Sequence, residues 1–96
     1  MDNNFKTVDL DQPLKVGDKD VSKLKLRKPL AGELRGIKLL DVLQMDPDAL
    51  AELVPRISEP QINKADFYSL EVSDLMRVIS TTVSFFGKAK TVLPTK

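Results

Sequence analysis

An α+β domain, with an N-terminal β-hairpin or three-stranded meander covered by about three C-terminal helices, is the fold class this sequence predicts. Three observations carry it. Apolar residues recur with period two from Lys6 to Arg27, they recur at three- and four-residue spacings from Gly32 onward, and glycine or proline marks most changes of rhythm. With 96 residues there is room for one domain, 1–96, around one modest core.

The strands occupy about residues 6–27. Val8 and Leu10 share a parity, Leu14 and Val16 continue it, and Leu24 and Leu26 alternate with Lys23, Lys25 and Arg27. Gly17, Asp18, Lys19 and Asp20 supply turn chemistry, so residues 14–27 read as a hairpin. Pro13 interrupts the first run and implies an edge strand or a bend. So small a sheet needs something laid on its apolar face.

Helices provide that cover. The first spans about 32–45, with Leu34, Ile37, Leu40, Val42 and Leu43 on one stripe and Leu39 widening it. The second spans about 47–57: Asp46 caps it, Pro47 takes its first position, and Leu50, Leu53, Val54 and Ile57 form its stripe. Pro55 should kink it or end it near Leu53. Asn63 caps a single turn over Ala65 to Leu70. The last helix spans about 73–86, capped by Ser73 or Asp74, with Leu75, Val78, Ile79, Thr82, Val83 and Phe86 in register, and Gly87 stops it. The tail 88–96, with three lysines and Pro94, has too few apolar groups to order itself and is expected to be flexible.

The composition, 42% hydrophobic and 30% charged, is that of an ordinary globular protein. With no cysteine and no histidine, disulfides, thiol nucleophiles, imidazole ligands and Ser-His-Asp catalysis lack their atoms. Asp46 with Asp48, and Glu71 with Asp74, read as helix-start acids; the stretch from Asp9 to Asp20 breaks a calcium loop; Gly32 and Gly36 make no phosphate loop. No catalytic, cofactor-binding or metal residue is assigned, and no enzyme is expected. There is no secretory pattern and no membrane-length apolar run, so a cytoplasmic protein is expected.

Fifteen basic and fourteen acidic side chains leave a net charge of +1. Their distribution is uneven: nine basic and six acidic over 1–40, two and eight over 41–75, four and none over 76–96, giving +3, −6 and +4. Lys23, Lys25, Arg27 and Lys28 cluster on one strand, followed by Arg35 and Lys38. No aromatic residue is interleaved as a stacking platform, so edge protection outweighs nucleic-acid binding, and a small nucleic-acid-binding regulator is the lesser alternative.

In the last helix Leu75, Val78, Ile79, Val83, Phe85 and Phe86 cover well over a third of the circumference. Such a face either packs on sheet and helices together or docks a partner helix, and it also allows self-association. These six are the candidate partner contacts.

Four phrases then occur in order: Leu24-Lys25-Leu26-Arg27-Lys28-Pro29, Gly32-Glu33-Leu34-Arg35-Gly36, Leu53-Val54-Pro55-Arg56-Ile57 and Ser73-Asp74-Leu75. Together, over Val8 to Phe86, they resemble the tail assembly chaperone family of contractile-tailed, Mu-like bacteriophages and prophages. The resemblance implies a non-enzymatic chaperone that binds the tail tape measure protein and keeps it soluble until the tail tube polymerises around it. It implies action in the host bacterial cytoplasm and absence from the mature virion. Arg35 and Arg56, within the family-like phrases, are candidate polar rim contacts. The family often makes a longer, frameshifted product that helps recruit tail tube protein, and Ser84-Phe85-Phe86 permits a slippery codon run. A structural tail or baseplate component is the alternative.

Overall fold

The computed structural model describes residues 5–86. Strands β1 (Phe5–Val16) and β2 (Lys19–Arg27) form an antiparallel hairpin, closed by a two-residue turn in which Gly17 takes a φ of 62°. A third strand, β3 (Ser58–Glu59), pairs with β2 at Lys25↔Glu59 and Leu26↔Ser58, so the order is β1-β2-β3. The fold class is α+β as predicted, but the third strand comes from beyond the second helix. Two residues carry no periodicity, so only their position beside Lys25 and Leu26 makes them a strand.

β1 is a single strand at the sheet edge, and Pro13 lies in a bulge. Pairing runs to Asp9↔Lys23 and resumes at Leu14↔Val21, leaving residues 10–13 of β1 opposite Ser22 alone. On either side of the bulge the alternation behaves as expected. Val8, Leu10, Leu14, Leu24 and Leu26 are buried, while Thr7, Asp9, Lys23 and Lys25 are exposed.

The expected helix over 32–45 is two shorter pieces, a 3₁₀ turn at Ala31–Leu34 and α1 (Leu39–Leu43). Gly36 breaks it with a φ of 78°. In addition, Arg56 Nη1 donates to the carbonyls of Glu33 and Arg35, at 2.7 and 2.9 Å, so neither is free for a helical ladder. Of the expected stripe only Val42 is fully buried; Leu34 and Ile37 are half-buried, and Leu39 and Leu40 face solvent.

α2 (Pro47–Ile57) begins where Asp46 accepts the Ala49 N–H at 3.1 Å. It continues through Pro55 instead of ending near Leu53. Pro55 cannot donate to the Ala51 carbonyl, but Leu53, Val54 and Ile57 are all within the core, and their burial outweighs one missing bond near a helix end. α3 (Lys64–Tyr68) follows the expected cap: Asn63 accepts the Asp66 N–H at 2.8 Å, and Asp66 returns the contact to the Asn63 N–H at 3.1 Å. α4 (Val72–Ser84) starts earlier than expected. Glu71, not Ser73 or Asp74, is its cap, accepting the Ser73 N–H at 3.1 Å. Gly87 and the tail lie outside the described residues.

The core joins the inner face of β1 and β2 to Leu50, Leu53, Val54 and Ile57 of α2, Phe67 of α3, and Val78 and Ile79 of α4. Phe67, fully buried, is its largest side chain.

Candidate partner-binding surface

The last helix does not offer the face expected of it. Val78 and Ile79 are 0% and 2% exposed, sealed between α4 and the sheet, and cannot touch a partner while the domain is folded. Leu75, Val83, Phe85 and Phe86 are half-buried against the same core. Its stripe is wide because the helix packs against both sheet and helices. Lys6 completes the seal, its Nζ 5.1 Å from the Phe85 ring centroid and 2.7 Å from Ser84 Oγ. α4 instead exposes Val72 and Met76, at 69% and 52%, one turn apart on the side away from the core.

Arg56, expected at a polar rim, is spent on structure. It holds the Glu33 and Arg35 carbonyls, while Arg27 grips the Glu33 carboxylate with both terminal nitrogens and donates to the Arg56 carbonyl at 2.9 Å. The Arg27 hydrogen bond, joined by the Leu30 N–H, holds the Glu33 carboxyl below the usual carboxylate range. The Arg35 residue is exposed, beside a shallow depression it lines with Gly32, Glu33 and Arg56.

Asp74 stands at the third position of α4, where a helix-start acid would ordinarily face its own helix. It is completely buried and accepts the N–H groups of Asp11 and Gln12, at 2.8 and 3.0 Å. Those two bonds, aided by Arg77, hold its carboxyl below its ordinary value. Arg77 also donates to the Asp9 carbonyl at 3.1 Å and to Asp11 Oδ2 at 2.9 Å. An open groove of about 610 Å³ runs along this seam, between Thr7, Asp9 and Asp11 of β1 and Met76, Ser80 and Thr81 of α4. Its charged groups satisfy one another.

The apolar surface that periodicity missed lies around α1. Leu39, Leu40 and Met45 are 42%, 57% and 41% exposed. Next to them a groove of about 280 Å³ separates the Gly36–Lys38 segment from α2, lined with Asp41, Asp46, Asp48 and Glu52. The sequence signal for this surface was the break at Gly36: a five-residue helix cannot bury every side of an apolar run.

Two of the four cations clustered on and beside β2 are paired with acids, and a third lies over an aromatic ring. Lys23 lies 3.4 Å from Asp9, Arg27 is paired with Glu33, and Lys25 sits over the Phe5 ring at 4.4 Å. Among the described residues no group of three or more acidic side chains is arranged to hold a metal ion, and no helix is long and apolar enough to cross a membrane.

Residues 7–87 match the family of phage tail assembly chaperone proteins described as "E, or 41 or 14". Tail assembly protein E of Escherichia phage P2 is 34% identical over 85 residues, covering 88% of this chain and 93% of that protein. Tail assembly protein E' of the same phage is also 34% identical, over 83 residues that make up 86% of this chain and 58% of that longer protein. No solved structure matches. A match running from the first strand to the end of the last helix, with a relative aligned over nearly its whole length, places this chain in the phage tail assembly chaperone family.

Proposed function

We propose that this tail assembly chaperone acts by binding the tail tape measure protein, keeping it soluble in the host cytoplasm until the tail tube encloses it, and then leaving. A long helical chain with uncovered apolar stripes aggregates unless something occupies them. The observation that carries this reading is the apolar surface the monomer leaves open, with Leu39, Leu40 and Met45 within seven residues of chain and Val72 and Met76 one helical turn apart. These side chains supply helix-in-groove contacts. Arg35, Phe85 and Phe86 remain candidates for the rim of such contacts, and self-association through the same surfaces would compete with them. No catalytic step is required, since tube polymerisation itself displaces the chaperone. A longer frameshifted product, carrying this domain at its start, would connect the tape measure to tail tube protein.

Co-expression with the tape measure protein of the same phage tests the reading. The expected result is a soluble complex that co-purifies, and purified virions that lack the chaperone. A tape measure protein equally soluble with and without this chain would overturn it, as would stoichiometric chaperone in finished virions, which favours a structural tail component.

A further inference from the structure

The corner between α1 and α2 carries a methionine where glycine usually stands. The Met45 N–H donates to the Val42 carbonyl at 2.9 Å and the Asp46 N–H to the Asp41 carbonyl at 3.0 Å, the paired bonds of a Schellman motif, with Met45 at a φ of 61°. A Cβ is disfavoured in that conformation, and methionine lacks the short polar group with which asparagine compensates. Helix termination alone would select glycine. Met45 is moreover 41% exposed, so its side chain gains little from the core in return. Leu39 and Leu40, at the start of α1, are uncovered as well.

Beside these three apolar groups lie Asp41, Asp46, Asp48 and Glu52, with Lys38 the cation of the groove lining; Glu52 is paired to both Lys64 and Arg56, while Asp41, Asp46 and Asp48 have no ion-pair partner among the described residues. Tyr68 registers the resulting negative field. Its phenol donates to Asp48 and is pushed above its ordinary value first by that hydrogen bond, then by partial loss of solvent, and further by the charges of Asp48, Asp46 and Glu52. In the larger groove between β1 and α4, by contrast, each carboxylate has an ion-pair partner: Lys23 for Asp9, and Arg77 for both Asp11 and Asp74.

Apolar surface beside carboxylates that lack an ion-pair partner calls for its complement. We propose that the α1–α2 corner docks an amphipathic helix of the partner, with the apolar stripe on Leu39, Leu40 and Met45 and a neighbouring lysine or arginine reaching into the acidic groove. This rests on the reading that the chaperone holds a longer helical chain, and it adds which surface does so and what charge the held segment bears.

The test titrates the isotope-labelled full chain with two synthetic helical peptides that share one leucine stripe, one flanked by lysines and the other by glutamates. The lysine peptide should move amide resonances across residues 36–52 and bind about tenfold tighter than the glutamate peptide at low salt, an advantage lost near 0.5 M salt. Met45→Gly should melt no lower than the native chain and yet bind the lysine peptide at least about fivefold more weakly. Asp41→Lys should remove the preference between the peptides. Resonances moving chiefly on α4 or the open face of the sheet, equal affinity for both peptides, or a Met45→Gly chain that binds like the native one would overturn the proposal. A chain that passes this titration but fails to keep the tape measure protein soluble would overturn the tape measure reading alone. If it does keep that protein soluble, and Met45→Gly does so equally well, only the docking surface falls.

Discussion

Asp74 accepts the backbone N–H of Gln12 at 3.0 Å, across 62 residues of chain, while its other oxygen takes the N–H of Asp11 at 2.8 Å. The bulge in β1 turns these two donors away from β2, and one carboxylate on α4 satisfies both. Arg77 covers the Asp9 carbonyl next to them. The outer edge of β1 is thereby closed to a further strand at its most irregular point, and α4 is pinned to the sheet.

Asp74→Ala should leave both amides without their partner and lower the melting temperature by roughly 5–10 °C. Asp74→Asn, which keeps one acceptor oxygen, should lose less. Thermal melts followed by circular dichroism measure the order of the three proteins, and amide exchange at residues 11 and 12 should quicken in both variants. An Asp74→Ala protein melting with the native one would refute the pinning role.

Acid should destabilise the fold through the same group. The Asp74 and Glu33 carboxyls both titrate lower in the folded chain than their ordinary values, Asp74 because of the Asp11 and Gln12 amides and Glu33 because of Arg27. A depressed folded pKa gives stability that is present above the unfolded value, about 4, and lost as pH falls through the folded one. Urea midpoints should therefore hold steady from about pH 8 to pH 5 as far as these groups are concerned, then fall below about pH 4. Asp74→Asn should flatten that fall; an unchanged slope would show that other groups cause it.

Arg56→Ala should release the segment from Leu30 to Lys38, which it holds through the Glu33 and Arg35 carbonyls. Because the side chain is partly open to water, the cost should be modest, about 1 kcal/mol. Arg56→Lys should recover only part of it, since a flexible ammonium lacks the planar guanidinium that holds Nη1 between the two carbonyls while Nη2 faces Glu52. Amide exchange faster than native across residues 31–38, with α4 unaffected, is the expected signature.

Two neighbours on α4 should behave oppositely. Val78→Ala removes two methyl groups from a fully buried site and should cost ~2 kcal/mol in urea denaturation. Met76→Asp, at a position 52% exposed, should change stability by less than about 0.5 kcal/mol. Equal losses at both positions would contradict the placement of α4.

Much of the fold was legible because neighbours in sequence decide it. Alternation across Lys6 to Arg27 marks β1 and β2, Gly17 marks their turn, Asp46-Pro47 starts α2, and Asn63 starts α3. Each signal acts within one strand pair or one helical turn. The helix expected over 32–45 failed because the side chain that takes its carbonyls, Arg56, lies more than twenty residues away. Asp74 looked like a cap because its bulge partners are farther still.

The candidate surface shows the same division more sharply. Periodicity identifies which α4 residues are apolar together, but not whether water or protein lies against them. Packing against sheet and helices takes Val78 and Ile79 into the core, and a broken α1 leaves Leu39 and Leu40 outside. Sequence by itself determined the α+β class, the main starts and stops, and a pattern resembling the tail assembly chaperones, since these depend on local propensity and order along the chain. Tertiary structure alone decided which apolar groups remain uncovered, because burial depends on everything that packs around a residue and not on the residue itself.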